Sequence, residues 1–457
     1  SPLTKGGRGG GFFRNPLMWV GFGIAVWIQG LNGLNYYFPE VPPFPLSLNS
    51  NQYFSEPPWN QMGPFMFRIL PFAVGVSYLL SSEVALSFWF FYLLHKFCYV
   101  AAYQIGLPPG ALPDPTWTRG FAKSFISYQQ IGAMWMYAAL VLWIGRVHLW
   151  HVVRRAFRRV PAHSDENDEA ISYPLAFWGF VVSSLILVGW TAMAGVRFDL
   201  AFYIWLTYFV IALCLTRVVV EGGMLYVNHG WSPLLPLAHL VGAGPGKWIS
   251  PEGAVPGAIV QNSLMIDLKA FLLPSFLHSF KLARDREIPL RPLFFLIFAC
   301  IAVAFITGVH TILNIAYSEG GLKMNSFWAN SGPQEPARSV KEIAGGVQDS
   351  FLTNWLWTFF GAGTTWGLVT ARMRFAWFPL HPLGYIMWSP FVMYAMWFSI
   401  FLGWLCKVLI MRFGGPAIYR KIMPAFLGLA LGDATMILVI NAVDLWQGRT
   451  GHQLMPG

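Results

Sequence analysis

Ionisable side chains inside apolar stretches are the residues with which this chain could do chemistry, because a charge in such surroundings is costly and usually serves a purpose. Arg217 and Glu221 are four residues apart, so they share one face of a predicted helix. They predict either a local ion pair at the helix end or one polar wall of a solute cavity. Asp433 falls near the middle of the last apolar run. It predicts either a polar pathway or a structural hydrogen bond.

Three further polar residues extend this candidate set. Asn262 and Asp267 belong to an amphipathic stretch predicted to be helical over 258–286, and five residues separate them, so they are only loosely co-facial. His381 lies in a proline-flanked turn without a second histidine at metal-binding spacing. The predicted lining of a substrate pathway is therefore Arg217, Glu221, Asn262, Asp267, His381 and Asp433.

Enzymatic and metal chemistry find little support in the motifs. The chain has no phosphate-binding loop, no nucleophile elbow and no dinucleotide fingerprint, and its four cysteines stand alone in apolar runs. His148 and His151, three residues apart, could bind a metal or a haem, but five neighbouring arginines favour a place beside lipid headgroups. We therefore expect no enzyme activity, no metal and no cofactor, and a haem or pigment protein is the weakest hypothesis.

The composition determines which elements must position these residues. Of 457 residues 56% are hydrophobic and 11% charged, whereas soluble domains have about 45–50% and about 25%. The net charge of +10 is distributed in short clusters between apolar runs, which favours a lipid bilayer over nucleic acid as the partner. Since a span needs about 20 apolar residues, we predict an all-α polytopic integral membrane protein, a single transmembrane domain over 1–457 with about ten helices. The predicted spans include those at about 16–38, 65–80, 84–105 and 198–220.

Basic clusters orient the predicted spans, because Lys and Arg favour the cytoplasmic side. They place the N-terminus inside, and a proline-rich loop at 39–64 and a mixed-charge loop at 318–353 outside. Glycine and proline punctuate 221–257, which predicts an irregular or re-entrant segment. Two apparent inward crossings, at 354–370 and 391–410, require a return between them. The candidate return is 375–389, which is too short for an ordinary span, so we predict that either this piece or the region of Gly361-Ala362-Gly363 is a half-membrane hairpin.

Several sequence blocks occur in a fixed order along the chain, among them Asn15-Pro16-Leu17-Met18-Trp19, Gln52-Tyr53-Phe54-Ser55-Glu56-Pro57-Pro58-Trp59-Asn60, Thr216-Arg217 with Glu221-Gly222, and Leu380-His381-Pro382-Leu383-Gly384. These blocks resemble a large, uncharacterised family of bacterial membrane proteins affiliated with the oligopeptide transporter superfamily. The resemblance implies a helical transporter-like fold with a polar central cavity. It also implies that the chain corresponds to the central and C-terminal part of the family and lacks its N-terminal helices.

Two functions follow as hypotheses. The first is a secondary transporter that moves a small polar solute, a peptide or a metal chelate, across the bacterial cytoplasmic membrane. The second is a non-transporting scaffold subunit of a larger membrane complex, with other membrane subunits as its partners.

Overall fold

The computed structural model describes residues 11–106, 124–157, 169–224, 227–265, 271–321, 332–347 and 351–449. The described chain is almost entirely α-helical and includes one two-stranded sheet. It divides into two compact units, one formed by Ser1–Trp117 and Leu368–Gly457, the other by Thr118–Gly367. The single transmembrane domain expected from the sequence stays a prediction.

The first unit is built around one long, interrupted helix. Its helices and strands are α1 (Pro16–Tyr37), β1 (Ser47–Asn49), β2 (Met66–Arg68), α2 (Pro71–Leu79), α3 (Ser82–Gln104), α14 (Pro382–Ile386) and α15 (Phe391–Gln447). The side chain of Asn15 starts α1 by accepting a hydrogen bond from the Leu17 amide at 3.0 Å. Gly415 interrupts α15 with a φ of 68°, and Pro416 follows it, so the element consists of two helical arms.

Close helix contacts hold this unit together. A Cβ added at Gly21 of α1 would meet the backbone carbonyl of Ala425, and one added at Gly428 of α15 would meet that of Met18. Only glycine permits such an approach, because any side chain would push the two backbones apart. The α1–α15 contact is therefore specified by small residues.

The second unit contains the remaining helices. They are α4 (Phe125–Ile144), α5 (Arg146–Phe157), α6 (Tyr173–Met193), α7 (Phe198–Val220), α8 (Leu234–Val241), α9 (Pro251–Leu264), α10 (Leu272–Asp285), α11 (Leu290–Ile315), α12 (Gly332–Ala344) and most of α13 (Phe351–Arg374). The axes of α4 and α5 meet at 68°. The buried core lies where Leu200, Ile204 and Trp205 of α7 pack against Leu234 and Ala258.

Among the described residues, six helices are long and apolar enough to cross a membrane, namely α1, α3, α6, α7, α11 and α15; the bent pair α4 and α5 would make a seventh. The predicted number of about ten spans is unconfirmed. Residues 65–80, which we predicted as one span, form β2 and α2 instead. With nine residues α2 is about 14 Å long, too short for a bilayer core of about 30 Å.

Three predicted loops contain regular structure. The 39–64 loop includes β1 and a 3-10 turn at Trp59–Met62, the 221–257 segment includes α8 and the first turns of α9, and the 318–353 loop includes α12. The helix α13 continues through Gly361-Ala362-Gly363 without a break. Of the two regions considered for a half-membrane hairpin, Gly361-Ala362-Gly363 is therefore helical, and the helix is interrupted only afterwards, within 375–389, which contains the short helix α14.

Candidate functional site

Arg217 and Glu221 meet at the end of α7, as their spacing predicts. The guanidinium pairs with one carboxylate oxygen, and Tyr137 of α4 donates a hydrogen bond from its hydroxyl to the other at 3.2 Å. Helix α7 ends there, at Gly222-Gly223, and Gly223 has a φ of 69°. The two side chains are 40% and 36% exposed. The site is a local ion pair whose side chains are partly exposed, so both interpretations of the spacing remain compatible with it.

Asp433 has a different environment, in the buried contact between three helices. It is 2% exposed, and its two carboxylate oxygens accept hydrogen bonds from the Gln29 side chain at 2.5 Å and from the Phe72 amide at 2.8 Å. Phe72 belongs to the first turn of α2, whose amides have no acceptor within the helix. Asp433 therefore links α15 to α1 and α2, which matches the structural hydrogen bond that the sequence left open.

His381 begins the short helix α14. Its Nδ1 accepts a hydrogen bond from the Leu383 amide at 3.2 Å, and its own amide donates to the Ser87 hydroxyl at 2.7 Å. Burial, reinforced by the positive charge of Arg372 and opposed by Glu83, lowers the pKa of His381 to about 4. The imidazole is therefore neutral at pH 7, as its role as an acceptor requires.

The other predicted pathway residues of the second unit are Asn262 and Asp267. Asn262 donates a hydrogen bond from its amide to the Gly332 carbonyl at 2.9 Å, which fixes α9 to α12. Asp267 lies outside the described residues. Within the described part of this unit, Arg217 and Glu221 bond to each other and Asn262 belongs to a separate set of bonds.

Sequence reasoning missed a buried lysine in α3. Lys96 is 1% exposed and donates hydrogen bonds from Nζ to the carbonyls of Met62 and Pro64, each at 2.9 Å. Its ammonium also lies 5.6 Å from the centre of the Tyr92 ring. The signal was available, because Lys96 is a cation inside a predicted apolar span. It anchors the loop before β2 to α3.

Several aromatic side chains pack together in the neighbourhood of Lys96. The neighbouring His95 is also 1% exposed, and its ring lies 4.8 Å from that of Tyr92 and 6.2 Å from that of Trp388. The Tyr92 hydroxyl and the Trp388 Nε1 make no hydrogen bond within the part of the chain that the structure describes. Buried polar atoms of this kind are ordinarily satisfied by ordered water.

The histidine pair of α5 packs against an aromatic ring. His148 and His151 each meet the Tyr173 ring edge-on, with ring centres 5.7 and 6.1 Å apart. Within the described ranges no three His, Cys, Asp or Glu side chains come together as ligands of one metal ion would.

These features define a helical protein in which ionisable side chains are fixed within or at the ends of long apolar helices. Residues 2–456 match a family described as a family of unknown function, DUF6785, and the chain belongs to that family. No curated protein and no solved structure matches the chain. The affiliation with the oligopeptide transporter superfamily stays a prediction.

Proposed function

We propose that the protein lies in the bacterial cytoplasmic membrane and works as an oligopeptide-transporter-like secondary transporter of a small polar solute, a peptide or a metal chelate. Its long apolar helices support the membrane location. The observation that carries the proposed transport is the cluster of Arg217, Glu221 and Tyr137, a partly exposed ion pair at the end of α7, where Gly222 and Gly223 follow the helix. Polar sites at helix ends near the middle of the membrane are characteristic of secondary transporters.

The chemistry of this cluster fits a zwitterionic solute. Arg217 offers a cation for a carboxylate, and Glu221 offers an anion for an ammonium group. Opening the pair costs little, because solvent-exposed ion pairs contribute only about 0–1 kcal/mol. Opening the bonds of Asp433 would leave two buried donors without an acceptor. We therefore propose a narrower pathway than the six predicted residues, centred on Arg217 and Glu221.

Uptake into proteoliposomes tests this function. The protein is reconstituted and given a radiolabelled dipeptide or a radioactive iron(III)–citrate chelate, and Arg217→Ala and Glu221→Gln are compared with wild type. We expect a loss of about tenfold or more, because a hydrogen bond to a charged group contributes about 1.5–3 kcal/mol. The matched control is Arg338→Ala, which breaks an exposed ion pair with Glu335 on α12. Wild-type uptake by both pathway variants would refute the assignment.

The proposed orientation places the N-terminus on the cytoplasmic side, because Lys5, Arg8 and Arg14 precede the first apolar helix, α1. Arg14 is exposed and lies one residue before Asn15, the N-cap of α1. A cysteine at Arg14 in a cysteine-free background should react with a membrane-impermeant thiol reagent only in inside-out vesicles. Reaction in right-side-out vesicles would reverse the orientation.

The scaffold function is favoured by a separate observation, the apolar surface of the second unit. None of the 26 residues of α11 is buried, and only Val188 and Thr191 are buried among the 21 of α6. Lipid or another subunit must cover these faces. A photo-crosslinking residue at Phe305 of α11 tests which one does. Crosslinking to one defined protein at fixed stoichiometry, together with absent uptake, would favour the scaffold.

A further inference from the structure

A charged hollow of about 1130 Å³ opens between α5, the start of α6 and the turn that joins α10 to α11. We call it the charged hollow, and its polar lining is His148, Glu169, Tyr173, Arg284, Glu287 and Arg291. All of these residues belong to the second unit. None of them is part of the proposed transport cluster.

An apolar groove of about 690 Å³ adjoins this hollow. The two share Glu169, Tyr173, Arg284 and Leu290 in their linings. Beyond that shared rim, the groove is lined mostly by apolar residues, including Ala176, Leu277, Phe280 and Phe294, with one charge of each sign, Lys281 and Asp285. A charged opening continuous with an apolar groove has the polarity of a lipid, with a polar headgroup attached to hydrocarbon.

Among the described residues that line the hollow, two arginines stand against two glutamates. Arg284 pairs with Glu169 at 3.4 Å, and both side chains are well exposed, at 64% and 39%. Arg291 and Glu287 make no ion pair with any other described residue. A balanced set that leaves one cation and one anion available suits a headgroup that itself carries both a phosphate and an ammonium.

The backbone places these two available charges. Among the described residues Glu287 is the one non-glycine residue with a positive φ, 56°, which it adopts just after the C-cap of α10, where the Ile288 amide donates to the Ala283 carbonyl at 2.8 Å. Arg291 is the second residue of α11, and the first amides of a helix have no intrahelical acceptor and favour an anion. The turn therefore presents an acidic group and an anion-binding helix end to the same space.

From this geometry we propose that the second unit binds a phospholipid with a zwitterionic headgroup, of the phosphatidylethanolamine type. Arg284, Arg291 and the start of α11 hold the phosphate, Glu287 accepts hydrogen bonds from the ammonium, and an acyl chain follows Leu277 and Phe294 along the groove. The neighbouring helix α10 carries exposed leucines and basic residues, as helices at a membrane surface do. The inference depends on the proposed membrane location but not on transport.

Lipid-dependent thermal stability and native mass spectrometry test the proposal on the delipidated full chain in detergent. The probes are phosphatidylethanolamine, phosphatidylcholine and phosphatidylglycerol with identical acyl chains, glycerophosphoethanolamine without chains, and inorganic phosphate. We expect phosphatidylethanolamine to bind about tenfold more tightly than the other two lipids, because choline cannot donate N–H hydrogen bonds to Glu287 and glycerol carries no positive charge. The chain-free headgroup and phosphate should bind weakly.

Two variants separate binding from folding. Arg291→Ala should weaken phosphatidylethanolamine binding about tenfold. Glu287→Gly relieves the positive φ, so it should keep or raise the stability of the lipid-free protein while it abolishes the preference for ethanolamine over choline. Arg338→Ala on α12 is the control and should bind like wild type.

Equal binding of the three lipids, or binding unchanged in both variants, would overturn the proposed headgroup. Binding of inorganic phosphate as tight as that of phosphatidylethanolamine would show that the hollow is a site for free phosphate. Either result leaves the uptake test of the proposed function unaffected, because Arg217 and Glu221 do not line the hollow.

Discussion

Replacing Asp433 with leucine removes the acceptor that joins α15 to α1 and α2. Leucine has a similar size and fills the space, so the main loss is the two hydrogen bonds from Gln29 and the Phe72 amide. Both donors would remain buried without an acceptor, which costs about 1–3 kcal/mol each. We therefore expect Asp433→Leu to lower the free energy of unfolding by about 2–6 kcal/mol.

Thermal unfolding in detergent, followed by helical circular dichroism, measures this effect. The double variant Gln29→Leu with Asp433→Leu also removes the Gln29 donor that Asp433→Leu leaves without an acceptor. Its loss in free energy of unfolding should therefore be smaller than the sum of the losses in the two single variants. Thr435→Leu is the control, because the Thr435 hydroxyl bonds only within α15, to the Leu431 carbonyl at 2.7 Å. If Asp433→Leu unfolds at or above the wild-type temperature, the structural role of Asp433 is refuted. The buried carboxylate would then destabilise the fold, as expected of a pathway residue.

Three shorter predictions concern His381, Gly428 and Lys96 of the first unit. Burial lowers the pKa of His381 from 6.5 to about 4. Between pH 6.5 and pH 4 the imidazole is therefore protonated only in the unfolded state, so the free energy of unfolding should fall by at most about 3 kcal/mol as the pH drops through this range. His381→Asn should flatten this pH dependence in thermal unfolding, and an unchanged pH dependence would contradict the prediction. Gly428→Ala should lower the free energy of unfolding by about 1–3 kcal/mol, because the added Cβ would overlap the Met18 backbone. Gly179→Ala is the control, because nothing lies within 4 Å of a Cβ added there. Equal effects of the two substitutions would exclude overlap as the cause. Lys96→Met removes the donor to the Met62 and Pro64 carbonyls, so the 39–64 loop should be cleaved faster in limited proteolysis. Cleavage at the wild-type rate would argue against the role of Lys96 in anchoring this loop.

The long apolar helices could be predicted because hydropathy and capping coincide. The predicted span 16–38 corresponds to Pro16–Tyr37, where Asn15 and Pro16 form the start. The span predicted at 198–220 has the same bounds as α7. The span predicted at 65–80 was wrong because a short apolar run does not distinguish a strand from a helix. There the chain pairs β2 with β1 before Pro71 begins α2.

Local pairs could also be predicted, whereas contacts across the fold could not. Arg217 and Glu221 are four residues apart, and the helix alone brings them together. The partners of Asp433 lie hundreds of residues away in the chain, so no spacing rule finds them. Lys96 required only that a cation within an apolar run be treated as informative, but its acceptors are backbone carbonyls, which every residue carries.

We expect buried, fully bonded charges to be structural and the exposed pair to be the one that binds solute. In the first unit Asp433 and Lys96 are buried and their hydrogen bonds join elements distant in sequence, so removing either should reduce stability. In the second unit the Arg217–Glu221 pair is exposed, so removing it should leave stability nearly unchanged. A solute can exchange only with bonds that open at low cost. If the protein transports, Glu221→Gln should therefore abolish uptake in a stable protein, while Asp433→Leu should reduce uptake only in proportion to the folded protein that is lost.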